Sequence, residues 1–209
     1  MNYLTKLISG PIHYFFVLLF NLTHDLGLAI ILFTIILKII LFPLDFLLFE
    51  EEKKLQKIRK RIDEETKNIK DFLKKGEIMT KIYQEEKMNP FTNIFLQFIS
   101  IIIFLSVFLV IKNLLATENP MFLGIINLSK PNFYLGIILF ITQLIFAFTQ
   151  PKEARNIAIF LTGAIGVLFF IFPSGFLIYW LINTLLTILE RKIFLRNEIN
   201  STIVSINKE

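Results

Sequence analysis

The chain has 209 residues, of which 55% are hydrophobic and 19% are charged, and it contains no cysteine. Its mean hydropathy of +0.65 is too high for a soluble globular domain or an intrinsically disordered chain. The charges are concentrated, because residues 50–87 hold 22 of the 39 charged side chains. Long apolar runs around one charged segment indicate an all-α integral membrane protein. The lack of cysteine excludes disulfides, thiolate metal sites and a lipidated cysteine.

The first segment, residues 1–25, ends in a short apolar run from Pro11 to Asp25. With Lys6 ahead of it, a secretory signal is the competing interpretation. No small-x-small cleavage site follows, however, and another apolar run begins at Gly27. We therefore expect an amphipathic helix that lies along the membrane interface. Its polar positions are His13, Tyr14, Asn21, His24 and Asp25.

Five apolar stretches follow, each about long enough to cross the roughly 30 Å hydrocarbon core of a bilayer. They are 27–48, 91–111, 133–149, 156–172 and 176–195. We expect a core of five transmembrane helices over 26–195, followed by a short cytoplasmic tail, 196–209. This arrangement puts 18 basic residues on one side of the membrane and three on the other. The positive-inside rule then places the N-terminus outside the cell and the C-terminus in the cytoplasm.

The charged segment, 50–88, is predicted to form a cytoplasmic helical hairpin. Apolar residues recur along its first part at helical spacing: Leu55, Ile58, Ile62, Ile69 and Phe72. We expect this helix to end at Gly76, a shorter helix to follow, and Asn89-Pro90 to begin the next membrane helix. A sustained apolar seam favours folding back on itself or docking a partner over a solvated spacer.

Lys38 is the twelfth of 22 positions in the first apolar stretch and lies near its midpoint. A charge at that depth costs about 2.5–3.5 kcal/mol to insert, so it needs a water-filled cavity or a polar partner. In a cavity Lys38 would be a functional charge. Sealed against carbonyls or a carboxylate, it would have a structural role and would weaken the functional interpretation. We expect the functional role.

Between the fourth and fifth stretches, Pro173, Ser174 and Gly175 are predicted to form a tight turn. Proline cannot continue the preceding helix, and glycine accepts positive φ. Enzymatic motifs are absent from the sequence: it has no HExxH, no G-x-S-x-G elbow and no phosphate-binding loop. We therefore expect no enzyme, no catalytic residue, no metal and no cofactor. The balanced charges of segment 50–88 also argue against direct nucleic-acid binding.

Three blocks occur in a characteristic order: GLAIILFTIILKIILFPL, KIYQEEKMNPF and PSGFLIYWLINTLLTILERKIF. With the apolar segment ahead of them, they resemble the YidC/Oxa/Alb family of membrane protein insertases over residues 11–195. The resemblance implies a five-helix core with a hydrophilic groove that is open to the cytoplasm and to lipid and closed on the outer side. It implies that Lys38 stands where the family usually has a groove arginine. Tyr179-Trp180 and the turn 173–175 match the family's last membrane helix.

The sequence departs from this pattern at several places. Lys38 offers a point charge that can lose its proton, whereas arginine is a planar fork that stays charged. The second stretch reads FTNIFLQFIS, without the Gly-Cys and Leu-Pro pairs common in the family. There is no large extracytoplasmic domain, no lipoprotein cysteine and no long basic tail, so we do not expect tethering of ribosomes through the tail.

These features predict an insertase and chaperone that takes hydrophobic client segments from the cytoplasm through the groove and releases them into the bilayer. Lys38 would attract acidic client residues, and the candidate groove-lining residues are Thr34, Gln97, Gln143, Tyr179, Trp180 and Asn183. The expected partners are nascent membrane-protein clients and lipid. Ribosomes, targeting factors or a secretion channel are further candidates at 50–88. Two alternatives stay open: a small anion-selective channel or transporter, and a scaffold that only recruits partners through the hairpin.

Overall fold

The computed structural model describes residues 14–116, 120–150 and 152–206. The beginning of the expected interfacial helix, including His13, lies outside these residues. The chain divides into two compact units. The first unit comprises Met1–Leu41 and Ile103–Glu209, and the second comprises Phe42–Ile102.

The described residues are mostly helical. In chain order the helices are α1 (Tyr14–Thr23), α2 (Leu26–Thr66), α3 (Phe72–Glu85), α4 (Pro90–Leu115), α5 (Phe133–Phe148), α6 (Lys152–Gly166) and α7 (Ser174–Ile206). Strands β1 (Met121–Phe122) and β2 (Ile126–Asn127) form an antiparallel hairpin, and a 3₁₀ turn (Val167–Phe170) follows α6. Among the described helices, α2 and α4 are long and apolar enough to cross a membrane, while α1, α5 and the segment Ala154–Phe170 are shorter apolar helices.

In the first unit, the start of α2, the end of α4 and the starts of α5 and α7 meet at one end. Hydrogen bonds join these segments: Leu123 N to Asp25 Oδ2 at 2.7 Å, Ser129 Oγ to the Leu115 carbonyl at 2.7 Å, Ser174 Oγ to the Lys130 carbonyl at 2.6 Å, and Gly175 N to the Leu128 carbonyl at 3.0 Å. Helices α2, α5 and α7 therefore leave this end, whereas α4 arrives at it. The core of the unit lies close by, with the Phe16 ring of α1 stacked on Phe33 of α2 at 4.1 Å between centroids.

Helix α5 has an inverted distribution of side chains. Its large apolar residues are exposed on one face: Ile137, Ile138, Ile141, Ile145 and Phe148. Its buried residues are mostly small: Gly136, Thr142 and Ala147, together with Leu139. A continuous exposed apolar face is unusual for a protein in water, and small buried residues let membrane helices approach closely. The pattern is typical of a helix whose outer face contacts lipid.

In the second unit, α3 packs against the charged part of α2. Ile58 of α2, Ile82 of α3 and Met88 form a buried apolar cluster. Arg61 lies beside it at the surface and donates hydrogen bonds to Glu85 at 2.6 Å and Glu86 at 3.1 Å. A small apolar seam with exposed ion pairs along it thus joins the two helices.

The predicted helix end at Gly76 is wrong. Helix α2 continues without a break through the start of the charged segment to Thr66, and Gly76 lies inside α3. The physical reason is the cap at Asp71, whose Oδ1 accepts a hydrogen bond from Leu73 N at 2.9 Å and starts α3 at the next residue. Phe72, expected in the first seam, is 86% exposed.

Two predicted boundaries meet different outcomes. Helix α4 begins at Pro90, as predicted, and the Asn89 side chain accepts a hydrogen bond from Phe91 N at 3.0 Å. Gly175, by contrast, lies in the first turn of α7 and is not among the positive-φ residues. What it requires is space, because a Cβ there would lie 2.9 Å from Leu115 Cδ2. The expectation of positive φ at Gly175 is therefore wrong.

Candidate functional site

Lys38 lies in the apolar part of α2, five residues before Pro43, the proline inside this helix. Only 8% of the lysine is exposed. One turn earlier, Thr34 is 1% exposed, and its hydroxyl donates to the Ile30 carbonyl at 2.7 Å. Thr34 thus satisfies its own hydroxyl within the helix and lies on the same face as Lys38.

The buried ammonium of Lys38 forms an ion pair with Glu190 of α7. Lys38 Nζ lies 2.9 Å from Glu190 Oε2, and the two side chains are 9% and 11% exposed. Two isolated charges at this depth would be costly, whereas a hydrogen-bonded pair is tolerated. The sequence suggested a free groove charge, and the structure holds this charge against a carboxylate, the arrangement associated above with a structural role. Any role in binding therefore has to account for Glu190.

Helices α2 and α7 run in the same direction where they meet. A Cβ placed on Gly175, at the start of α7, would lie 3.4 Å from Ile30 Cδ1. Further along both helices, Lys38 meets Glu190. The shorter distance from that Cβ is to Leu115 of α4, at 2.9 Å, so Gly175 allows α7 to approach α4. The Lys38–Glu190 pair lies about four turns further along α7.

The neighbouring face of α7 contacts α5 at every seventh residue. Leu177 packs in one buried cluster with Leu139 of α5. Further along, Thr184 Oγ1 accepts a hydrogen bond from Gln143 Nε2 at 2.8 Å. The Arg191 guanidinium then lies 5.5 Å from the ring centroid of Phe146. Gln143, expected to line a groove, therefore uses its amide in a helix–helix contact.

Tyr179 and Trp180 are part of an aromatic cluster. Tyr179 is 2% exposed, and its ring centroid lies 5.5 Å from that of Phe104 on α4. Trp180 is half-buried, with its ring edge-on to Phe169 at 4.9 Å. Asn183, also half-buried, shares a helix face with Tyr179 and with Glu190, seven residues later. The two aromatic residues brace α7, and Asn183 lies on the face that carries the ion pair.

Gln97 belongs to the second unit. Its Nε2 donates to Asn93 Oδ1 at 2.7 Å, one turn earlier on α4. Asn93 is 4% exposed, whereas Gln97 is exposed. Of the predicted groove-lining residues, Thr34, Gln143, Tyr179, Trp180 and Asn183 lie with Lys38 in the first unit.

The residue that sequence reasoning missed is Glu190. It lies inside the expected fifth membrane stretch, 176–195, so the depth argument applied to Lys38 also applied to it. The sequence does not single it out, because Arg191 and Lys192 follow directly. Three consecutive charged residues are typical of the end of a membrane helix. Among the described residues, no cluster of His, Asp and Glu suited to a metal ion is present.

Comparisons with known proteins agree with this architecture. The model of the family described as 60Kd inner membrane protein matches residues 18–201. The chain is 31% identical over 198 residues to "Membrane protein insertase YidC" of Buchnera aphidicola subsp. Baizongia pistaciae, which covers 90% of this chain and 37% of that protein. It is 32% identical over 188 residues to the protein of the same name from Francisella philomiragia, with 85% and 34% covered.

A crystal structure of an active YidC insertase with its first transmembrane domain resolved is also similar. It matches with a TM-score of 0.66 and 27% identity, over 88% of this chain and 45% of that chain. The chain spans about a third of the length of the sequence relatives it matches. These matches confirm the resemblance seen in the sequence, and the chain belongs to the 60Kd inner membrane protein family.

Proposed function

We propose that this chain is the membrane-embedded core of an insertase that moves hydrophobic client segments from the cytoplasm into the bilayer. Its relatives are named as membrane protein insertases, and the exposed apolar face of α5 is what a helix in contact with lipid requires. The observation that carries the proposal is Lys38, a charged residue 8% exposed within the apolar part of α2. Such a group lowers the cost of passing an acidic client segment, because it pairs with the client's carboxylate.

The proposed topology has five transmembrane helices within 26–195, an interfacial helix within 1–25 and a short tail, 196–209. In the first unit, α2, α5 and α7 leave the end at which α4 arrives, and this alternation supports the proposal. The excess of basic residues places that end outside the cell. The hairpin 50–88 then lies in the cytoplasm, where clients arrive and where ribosomes, targeting factors or a secretion channel would bind.

The mechanism follows from charge and burial. Lys38 attracts an acidic residue near the translocating end of the client and holds it within the apolar part of the protein. The apolar client segment then leaves along exposed faces such as that of α5, because lipid is a better solvent for it than water. No covalent bond forms or breaks, so no catalytic residue and no cofactor are assigned. The driving force is the transfer of apolar surface into lipid, aided by the membrane potential.

The test uses the purified chain in liposomes and a single-span client with an acidic tail. A matched client carries Asn and Gln in place of its Asp and Glu. Replacing both partners, Lys38→Gln with Glu190→Gln, avoids leaving a buried unpaired charge. We expect this double variant to insert the acidic client about tenfold more slowly, because it has no ammonium to hold the client's carboxylate. Lys38→Arg should keep most of the activity.

The neutral client is the control, and the double variant should insert it as fast as the wild type does. Equal insertion of the acidic client by the double variant and the wild type would contradict a role for Lys38. Failure of the wild type to insert either client would contradict the insertase function itself.

The two other function classes make different predictions. An anion-selective channel would give a steady current across a planar bilayer without any client. A scaffold would lose all function when 51–87 is deleted, whereas the proposed insertase would lose only part of it. We expect no steady current and partial activity after the deletion.

A further inference from the structure

We infer that Glu190 is an internal competitor for Lys38: it occupies the ammonium when no client is present, and the carboxylate of an acidic client displaces it. This inference rests on the proposed insertase function and adds a second residue to it. Its basis is the 2.9 Å contact between Lys38 Nζ and Glu190 Oε2, with both side chains almost buried.

The energetics of the resting state favour this pairing. A buried lysine without a counter-ion would be costly and would attract any small anion. Glu190 neutralises the charge from within the chain, so the resting protein holds a neutral pair. The pair removes the need for a bound inorganic anion beside Lys38.

Displacement by a client is an exchange of like for like. Lys38 gives up one carboxylate and gains another, so the number of charge-assisted hydrogen bonds is conserved. Two carboxylates close to one ammonium repel each other, and Glu190 must therefore move away when the client binds.

The consequence is selectivity for acidic clients. A client that brings a carboxylate can replace Glu190, whereas a client with an amide at that position offers a weaker partner and leaves the resting pair intact. The ion pair thus sets a threshold that a client must exceed, and it returns when the client leaves for the bilayer. Without Glu190, an acidic client would be held too tightly.

The first experiment uses the unaltered chain in liposomes and dicyclohexylcarbodiimide, an apolar reagent. It joins a lysine amine to an adjacent carboxylate as an amide, and the reagent takes up the lost water and becomes a urea. Mass spectrometry should find the Lys38–Glu190 crosslink in the client-free protein. The acidic client should lower it several-fold and give a crosslink from Lys38 to the client, whereas the matched neutral client should leave it unchanged.

Two results would overturn the inference: a missing Lys38–Glu190 crosslink in the client-free protein, or a crosslink that persists undiminished while the acidic client is inserted. In the second case insertion itself is intact, so only the inference fails. If the wild type inserts neither client, the proposed function fails first.

The second experiment measures client retention after insertion by co-purification. Glu190→Gln should retain the acidic client about tenfold more than the wild type, equivalent to about 1.4 kcal/mol. It should retain the neutral client equally. Glu51→Gln is the matched control, because Glu51 also accepts from a lysine at 2.9 Å, but that lysine, Lys54, is 59% exposed on the charged part of α2. Equal retention of the acidic client by Glu190→Gln and the wild type counts against the inference, and should Glu190→Gln fail to fold, the crosslinking result decides.

Discussion

The two compact units use ion pairs in opposite environments. In the first unit, Lys38 and Glu190 form one pair whose side chains are 9% and 11% exposed. In the second, Arg61 is 40% exposed and contacts three glutamates, with Glu65 at 2.8 Å and Glu85 at 2.6 Å among them. In the first unit the two charges contact each other in place of water. In the second unit the charges contact each other and water as well. The comparison shows that the effect of an ion pair on stability depends on its burial and not on how many pairs are present.

The protonation of Arg61 reflects its partners rather than its burial. The hydrogen bonds to Glu65 and then Glu85 raise the pKa of its guanidinium above the usual range. Arg61 therefore stays charged near neutral pH. The ion pairs of Arg61 are exposed, so salt screens them.

The largest effect is expected when the buried pair is broken on one side. Lys38→Met takes the ammonium away from Glu190 and should destabilise the chain by about 3–5 kcal/mol. The double variant Lys38→Met with Glu190→Leu removes both charges and should recover most of this loss. Unfolding by a denaturing detergent in mixed micelles measures the difference. A double variant as unstable as the single one would contradict the importance of the pair.

The next largest effect lies in the second unit and involves no charge. Ile82 is 1% exposed and packs with Ile58 and Met88, so Ile82→Ala should cost about 2–5 kcal/mol of local stability. Met79→Ala is the control, because Met79 is 44% exposed on the same helix. Hydrogen exchange of α3 amides measures both. If the two variants exchange alike, the apolar cluster does not hold this unit together.

Much of the helical framework could be predicted from the sequence, because apolar length and proline positions are local signals. Pro90 begins α4, and the apolar stretch around Lys38 lies in α2, as expected. The predicted helix end at Gly76 is wrong because a glycine within a helical pattern does not by itself end a helix. Here Asp71 supplies the stronger, capping signal five residues earlier.

The sequence predicted one member of the buried ion pair, Lys38, but not its partner. The depth of Lys38 in an apolar stretch showed that it needs a partner, and this is a property of one segment. Its pairing with Glu190, and that of Gln143 with Thr184, depend on which helices are neighbours. The close approach of Gly175 to Leu115 of α4 is likewise a tertiary contact that no local pattern encodes.

A smaller effect is expected at the glycines of the first unit. A Cβ at Gly136 of α5 would lie 2.9 Å from the backbone oxygen of Phe169, which cannot rotate away. Gly136→Ala should therefore cost about 1–3 kcal/mol. Gly163 of α6 has nothing within 4 Å, and Gly163→Ala should be neutral or stabilise by up to about 1 kcal/mol. Melting temperatures in detergent compare the two, and equal shifts would speak against tight packing of α5.

The smallest effect on stability is expected at Arg61, despite its three glutamate partners. Arg61→Gln removes all three contacts, but each carboxylate is exposed and recovers water in exchange. Hydrogen exchange of α3 should change much less than in Ile82→Ala. At 1 M salt, where the Debye length is about 3 Å, the wild type should come to resemble the variant, while the buried Lys38–Glu190 pair is unaffected. If Arg61→Gln loosened α3 as much as Ile82→Ala does, exposed charges would be holding the second unit together, and the contrast between the units would be lost.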